Sequence, residues 1–148
     1  MLLQKDYNPA LNTVTAYGEH HLDINRVRFE TAVCVGPEGP VRQLELQTAA
    51  DIDAAFLKAL IGLDAARQDP LAFLDDAPPA LPKDAPEVLL IGTGSRQVFL
   101  APDIIRPLLQ LGIGVETMTT QAAARTYNIL MSEERRVLAL LLPGDPHA

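Results

Sequence analysis

The residues of this sequence best suited to chemistry follow two short apolar segments. Gly92-Thr93-Gly94 follows the apolar residues 88–91, and Thr119-Thr120 follows residues 115–118. Glycines let backbone N–H groups approach a ligand closely. A helix beginning after Thr119-Thr120 would add free N–H groups and about half a positive charge at its N-terminus. Together these features are suited to binding a small anion or a polar metabolite.

Other polar residues nearby extend this candidate site. We expect the arginines to supply charge and the threonine and asparagine side chains to supply hydrogen bonds. Glu116 lies inside a predicted short strand, where an ionised carboxylate is costly unless it is paired, so we expect Arg96, Arg125 or capping N–H groups to contact it. The predicted binding residues are Gly92, Thr93, Gly94, Arg96, Glu116, Thr119, Arg125 and Asn128.

The glycine turn has three interpretations that the sequence leaves open. It can be a purely structural bend, a site for a small anion or polar metabolite, or a catalytic centre. The pattern has neither the third glycine of a dinucleotide fingerprint nor the Gly-Lys-Ser/Thr of a P-loop. No Ser/His/Asp or Cys/His constellation can be assembled, so no catalytic residue is assigned.

The remaining chemically interesting side chains favour structural roles. His20-His21 would point to opposite faces of a predicted strand, and no Cys/His/Asp cluster accompanies them at ligand spacing. We therefore predict no metal site and no cofactor. Cys34 lies in an apolar run with no cation predicted beside it, which is typical of a buried thiol. Tyr127 has the helical spacing of a core residue.

Composition limits the classes of partner. The 148 residues carry a formal net charge of −7, which argues against a nucleic-acid-binding surface. No apolar run approaches the roughly 20 residues of a membrane span, and residues 1–12 have no apolar segment of a secretory signal. We therefore expect a cytoplasmic protein without membrane insertion.

The pattern of apolar residues changes along the chain from β to α/β. It predicts strands at residues 11–17, 20–24, 26–35 and 41–46, then an amphipathic helix over 50–66. Further strands at 88–91, 115–118 and 137–142 alternate with a helix from Pro102 or Asp103 to before Gly112 and another over 121–131. We expect one α/β domain over 1–148, comprising a β-rich part (1–47), a helix and proline-rich connector (48–86), a βαβαβ unit (87–143) and a tail (144–148).

Three segments of the second half resemble one known family. They are residues 86–94 (PEVLLIGTG), 112–120 (GIGVETMTT) and 122–130 (AAARTYNIL), the last followed by glutamates and arginines at 133–136. In this order and spacing they resemble the largely uncharacterised prokaryotic family, domain of unknown function 498, that includes the mitochondrial respiratory complex I assembly factor 3. The match is strongest over residues 86–142 and looser before them.

This resemblance implies a three-layer fold with a mixed central sheet in which one strand is antiparallel to the rest. It implies no established enzymatic activity and no known cofactor, and the mitochondrial relative works by binding other assembly proteins. The helix and connector over residues 48–83 look longer than the family's usual link.

Two functional hypotheses follow. The first is a non-enzymatic binding or assembly module with a protein partner, which would use an exposed sheet edge or the connector around Leu71, Phe73 and Leu74. The second is a small-molecule or anion-binding protein, either a binder alone or an enzyme, with its site at the rim formed by Gly92–Gly94, Glu116 and Thr119–Asn128. The sequence is also compatible with a homodimer.

Overall fold

The computed structural model describes residues 11–62 and 85–144. Its strands are β1 (Val14–Tyr17), β2 (Leu22–Ile24), β3 (Val27–Phe29), β4 (Ala32–Val35), β5 (Arg42–Leu44), β6 (Val88–Gly92), β7 (Gly114–Met118) and β8 (Val137–Leu141). Its helices are α1 (Ala54–Leu60), α2 (Pro102–Gln110) and α3 (Thr120–Ser132), with a 3-10 turn at Ala49–Asp51.

The central sheet has five strands in the order β5-β4-β8-β6-β7. Strand β6 pairs in parallel with both β7 and β8. Strand β4 pairs antiparallel with β8 and with β5, so it alone runs against the other four. The predicted mixed sheet with one antiparallel strand is therefore confirmed.

The central sheet lies between two layers, which explains why all five residues of β6 are buried. Helices α1 and α2 cover one face, where Leu57 and Leu108 pack with Leu89 and Ile91. Helix α3 and a three-stranded antiparallel sheet, β1-β2-β3, cover the other face. A strand covered on both faces needs apolar residues throughout, so the continuous apolar run of β6 follows from its central position.

Every predicted element of the first half differs from the structure in its bounds. The strand predicted over 11–17 begins only at Val14, and the strand predicted over 41–46 is limited to Arg42–Leu44. The predicted strand over 26–35 is two strands, β3 and β4, which belong to different sheets. The predicted strand over 20–24 begins only at Leu22. Apolar continuity did not reveal the break at the exposed Glu30 and Thr31, where the chain crosses from one layer to the next.

The predicted helix over 50–66 is also interrupted. The Asp51 carboxylate accepts hydrogen bonds from the N–H groups of Gln47 and Thr48, which closes a 3-10 turn. Ile52 is extended, and Asp53 then caps α1 by accepting the Phe56 N–H at 2.7 Å. Two acidic capping residues so close together start two short elements rather than one long helix.

The helices of the second half were predicted well. Helix α2 begins at Pro102 and contains Pro107, and it is followed by Gly112 at a φ of +82°, as the sequence predicts for a glycine after a helix. Thr119 caps α3. The apolar connector residues Leu71, Phe73 and Leu74 lie outside the described residues.

Candidate functional site

The parallel pairing of β6 and β7 brings the glycine turn beside the start of α3. Gly92 lies opposite Met118 in the register. The Thr93 N–H donates to the Met118 carbonyl at 2.9 Å, and the Thr120 N–H donates to the Gly94 carbonyl at 2.9 Å. The predicted neighbourhood of these segments is therefore confirmed.

The hydroxyl groups of the turn are used within the chain. Thr93 Oγ1 donates to the Arg96 carbonyl at 2.5 Å and accepts the Val98 N–H at 3.0 Å. Thr119 Oγ1 accepts the Ala122 N–H at 3.2 Å as the cap of α3. These two threonines shape the loop after β6 and the start of the helix, so both hydroxyl groups already serve the fold.

Thr120 is the residue at this turn that the sequence did not single out for binding. Its buried Oγ1 donates to the Leu142 carbonyl at 2.6 Å and accepts the Gly94 N–H at 2.8 Å. One hydroxyl thus joins α3, the glycine turn and the end of β8. The sequence offers one hint of this role for Thr120. Two consecutive threonines stand at the start of the helix, although the N-cap needs only one of them.

Gly92 has a packing reason to be glycine. A Cβ at this position would lie 2.8 Å from Thr120 Cα and 3.2 Å from Ala123 Cβ. Helix α3 therefore approaches β6 more closely than any side chain on Gly92 would allow. The structural interpretation of the turn gains support from this contact.

Two further candidate residues hold the small sheet against α3. Asn128 accepts the Val14 N–H at 3.0 Å through Oδ1 and donates to the Val14 carbonyl at 2.8 Å through Nδ2. Arg125 donates to the Tyr17 hydroxyl at 3.0 Å. These side chains pair with β1 and do not reach the glycine turn.

Neighbouring Tyr127 belongs to the same junction. Its hydroxyl donates to the Asn12 carbonyl at 2.7 Å, and burial raises the pKa of this phenol above its ordinary value. The prediction that Tyr127 is a core residue is confirmed.

The side chains of Glu116 and Arg96 take no part in the hydrogen bonds of the glycine turn given above, although the Arg96 carbonyl does. Glu116 is exposed on β7, because β7 is the last strand of the central sheet, and the expected burial of its carboxylate is wrong. Neither Glu116 nor Arg96 forms an ion pair with any residue in the described ranges, so the expected pairing is also wrong.

A cavity of about 320 Å³ adjoins the N-terminus of α3. Of the predicted binding residues it is lined only by Gly94 and Thr119. His20 and His21, which the sequence set aside, both line it because they precede β2 instead of alternating within it. Over residues 11–62 and 85–144, no group of three potential metal ligands is assembled.

A second cavity of about 320 Å³ lies along β7. Its walls come from the loop after the glycine turn, from α2 and from β7 itself. Phe99 on this loop has 80% of its surface exposed. The apolar run Val98-Phe99-Leu100 is the signal in the sequence that could have indicated this cavity. The lining residues are Phe99, Leu100, Ile105, Val115, Glu116, Thr117 and Met118.

Cys34 is buried, as predicted. The structure nevertheless places a cation beside it, since Arg42 Nη2 lies 3.3 Å from its Sγ. Burial outweighs this cation and raises the pKa of the thiol to about 11. The thiol is therefore protonated and poorly nucleophilic at neutral pH.

None of the helices in residues 11–62 and 85–144 combines the length and apolar character needed to cross a bilayer.

Comparison with known families and structures gives a consistent assignment. The model of the family "Protein of unknown function (DUF498/DUF598)" matches residues 14–142. The solution structure of a Mth938-like domain from Bordetella pertussis is 55% identical, covers 98% of this chain and 94% of its own, and superposes with a TM-score of 0.76. A Xanthomonas campestris solution structure is 28% identical, with coverage of 95% and 92% and a TM-score of 0.67.

Curated relatives match a shorter segment. The NADH dehydrogenase [ubiquinone] 1 alpha subcomplex assembly factor 3 of Xenopus tropicalis is 42% identical over 57 residues, which are 38% of this chain and 31% of that protein. The 13 kDa major membrane protein of Francisella tularensis is 37% identical over 57 residues, 38% of this chain and 46% of that protein. The matched segment thus spans less than half the length of these relatives.

Proposed function

Because this chain belongs to the DUF498/DUF598 family of proteins of unknown function, we propose that it is a protein-binding module that helps to assemble a larger complex. One contrast carries the proposal. The polar groups predicted to bind a ligand are largely hydrogen-bonded within the chain, whereas Phe99 is exposed beside the edge of β7.

The internal hydrogen bonds weaken the case for a small-molecule function. Thr93, Thr119 and Asn128 each use their side chains on backbone groups. A ligand would have to replace these bonds, and leaving a buried backbone group unpaired costs about 1–3 kcal/mol. The predicted polar site therefore serves the fold better than it serves a ligand.

The exposed apolar side chains support a protein partner. Val98 and Phe99 are adjacent in the chain and have 43% and 80% of their surfaces exposed. Aromatic residues in such positions are typical anchors of protein interfaces. The name of the vertebrate relatives, assembly factor 3, is consistent with this type of function.

The proposal is tested by recovery of partners from native cells. We expect a reproducible partner to crosslink to the full chain at moderate salt, and the Phe99→Ala variant to lose most of it. Ile129→Ala is the matched control, because Ile129 is a 56% exposed apolar residue on a different element, α3. Recovery of the wild-type chain only as a free monomer or homodimer would contradict the proposal.

A small anion is the second candidate ligand class, favoured by the cavity that His20 and His21 line with the start of α3. The Thr120 and Ala122 N–H groups are already bonded there, so we expect weak binding. Phosphate titration of isotopically labelled protein is the test. Saturable shifts at Gly94 and Gln121 would support an anion site, and their absence at millimolar phosphate would exclude it.

A further inference from the structure

We propose that the open edge of β7 binds an extended, basic segment of another protein, which adds to the central sheet as a sixth strand. This inference rests on the proposed function as a protein-binding module and names the surface and the kind of segment it accepts. The four observations that carry it are the orientation of the β7 backbone, the adjoining apolar groove, the charge at its centre and the contrast with the other sheet edges.

The backbone of β7 presents hydrogen-bonding groups away from the sheet. The Gly114 N–H donates to the Glu87 carbonyl at 3.0 Å, and the Met118 carbonyl accepts the Thr93 N–H at 2.9 Å. Alternate residues of a strand direct these groups to opposite sides. Val115 and Thr117 therefore direct theirs outward, towards the position of a further strand.

The side chain of Gln97 already occupies one hydrogen-bonding position of such a strand. Gln97 Nε2 donates to the Thr117 carbonyl at 2.8 Å, which is the bond that an incoming backbone N–H would form. Gln97 is exposed on a loop, so a partner displaces it without disturbing the core. Polar side chains that cover a strand in this way protect sheet edges from indiscriminate pairing.

An apolar groove runs beside the same edge. Phe99, Leu100 and Ile105 form its wall opposite β7. A strand added to a sheet gains affinity from its backbone bonds and specificity from pockets for alternate side chains. The groove supplies such a pocket for an apolar side chain of the incoming segment.

Charge determines the kind of segment that fits. Glu116 lies at the centre of β7, is exposed, and is the only charged residue among those described that lines the groove. A lysine or arginine directly across from it would form a favourable cross-strand pair. The net charge of −7 also favours the approach of a basic segment.

The same residue argues against a second copy of this chain. Symmetric antiparallel pairing of β7 over its whole length would place Val115 opposite Thr117 of the other copy. It would then place the two Glu116 carboxylates directly opposite one another, and like charges in that position are destabilising. We therefore assign the edge to a different protein.

The other strand edges in the described residues are less suitable. Strands β3 and β5 have three residues each, against five in β7. They carry Arg28 and Arg42, of which Arg28 pairs with Asp23 and Arg42 reaches the Leu60 carbonyl. A short edge with its own cation is a poor template for a basic strand. The remaining edge strand, β1, has four residues, and both backbone groups of its Val14 are already bonded to the Asn128 side chain.

A peptide titration tests the inference directly. The probes are two blocked synthetic peptides, TVKVKVT and its acidic counterpart TVEVEVT, titrated into the isotopically labelled full chain. We expect the basic peptide to shift the Val115 and Thr117 amide signals saturably, with at least about tenfold tighter binding than the acidic peptide. Equal binding of both peptides, or shifts located elsewhere, would overturn the inference.

Four variants separate strand addition from simple charge attraction. Thr117→Pro removes an outward N–H, and we expect it to weaken binding about tenfold, whereas Thr117→Val keeps that N–H and should bind normally. Gln97→Ala removes the competing donor and should tighten binding about two- to tenfold. Should Thr117→Pro fail to fold, Gln97→Ala decides the matter, because it leaves the charge unchanged and tightens binding only if the Thr117 carbonyl takes part. Glu116→Lys tests the charge and should reverse the preference between the two peptides.

The oligomeric state provides an independent check. We expect sedimentation of the wild-type chain to show no dimer that depends on β7. A dimer that Thr117→Pro abolishes would overturn the assignment of this edge to a different protein. If neither peptide binds at β7 but the Phe99→Ala variant still loses its cellular partner, strand addition is refuted and the proposed function stands. Absence of any cellular partner would refute the proposed function itself.

Discussion

Two regions on either side of β7 use similar backbone groups in opposite ways. At the start of α3, the glycine turn and the two threonines meet partners within the chain at 2.5–3.2 Å. At the outer edge of β7, the Thr117 carbonyl is bonded to the exposed side chain of Gln97, and Phe99 has 80% of its surface exposed. The polar residues that look like a site maintain the fold, whereas less conspicuous residues remain accessible to a partner.

Burial explains the difference. The turn lies beneath α3, where an unpaired polar group is costly, and no buried side-chain polar atom in the described residues lacks a hydrogen-bond partner. Strand β7 ends the sheet, so its outer groups can remain hydrated at little cost. The following predictions test this contrast, because changes at the turn should alter stability and changes at the edge should not.

The largest effect is expected at Thr120. Thr120→Val keeps the shape but leaves the Gly94 N–H and the Leu142 carbonyl without their partner. We expect a loss of about 2–4 kcal/mol in the free energy of unfolding, measured by urea denaturation. Thr120→Ser keeps the hydroxyl and is the control. A Val variant as stable as the Ser variant would show that this hydroxyl does not hold the turn.

A somewhat smaller effect is expected at Gly92. Gly92→Ala places a Cβ 2.8 Å from Thr120 Cα, so α3 must move, and overpacking of this kind costs about 1–3 kcal/mol. Gly114→Ala is the matched strand control, since its Cβ would meet nothing nearer than 3.7 Å. Thermal unfolding of both variants measures the difference. Equal melting temperatures of the two variants would show that the close approach of α3 to Gly92 does not make a larger residue destabilising there.

Glu87 should give a smaller, pH-dependent effect. Its carboxylate accepts the Arg136 N–H at 3.1 Å and the Arg135 Nε–H at 3.3 Å. The backbone bond from Arg136 chiefly lowers the pKa of Glu87 below its ordinary value of 4.5. Since the pKa is lower in the folded state, this contribution is present above pH 4.5 and is lost as the pH falls through the folded pKa.

Urea denaturation at pH values from about 3 to about 7 measures this dependence, because this range extends from below the ordinary pKa of a glutamate to well above it. We expect Glu87→Gln to flatten the acid side of the stability profile relative to wild type. An unchanged slope below pH 4.5 would show that Glu87 does not contribute to it.

The smallest effect on stability is expected at Phe99. Because 80% of its surface is exposed, Phe99→Ala should change the free energy of unfolding by less than about 0.5 kcal/mol. Leu109→Ala, at a residue 50% exposed on α2, is the stability control. A large loss of stability in Phe99→Ala alone would place Phe99 in the fold instead of at a free surface and would blur the distinction between the two regions.

The second half of the fold could be predicted because its signals are local. Val88 to Gly92 is apolar at every position except the terminal glycine, Pro102 starts α2, and Thr119 caps α3. The first half was predicted less accurately. Its short strands were joined across Glu30-Thr31, and one helix was extended through Ile52, because apolar periodicity does not register where a chain changes layer.

The sequence predicted which segments meet at the candidate site, but only some of the residues that lie there. Parallel pairing of β6 and β7 was enough to bring Gly94 and Thr119 together at one cavity. It was not enough to tell that Asn128 and Arg125 turn towards β1, or that His20 and His21 line the cavity. These outcomes depend on the small sheet that packs on α3, which is remote in sequence.

The sequence by itself determined the alternation of strands and helices in the second half and the meeting of the glycine turn with α3, since these depend on local patterns and parallel pairing. Its resemblance to a known family implied the mixed central sheet. Only the tertiary structure decided how each polar group is used. Thr120 became a junction because the end of β8 lies within 2.6 Å of its hydroxyl. Glu116 stayed in solvent because β7 is the last strand of its sheet. Burial and hydrogen-bond partners are properties of the packed chain, and a list of residue types does not contain them.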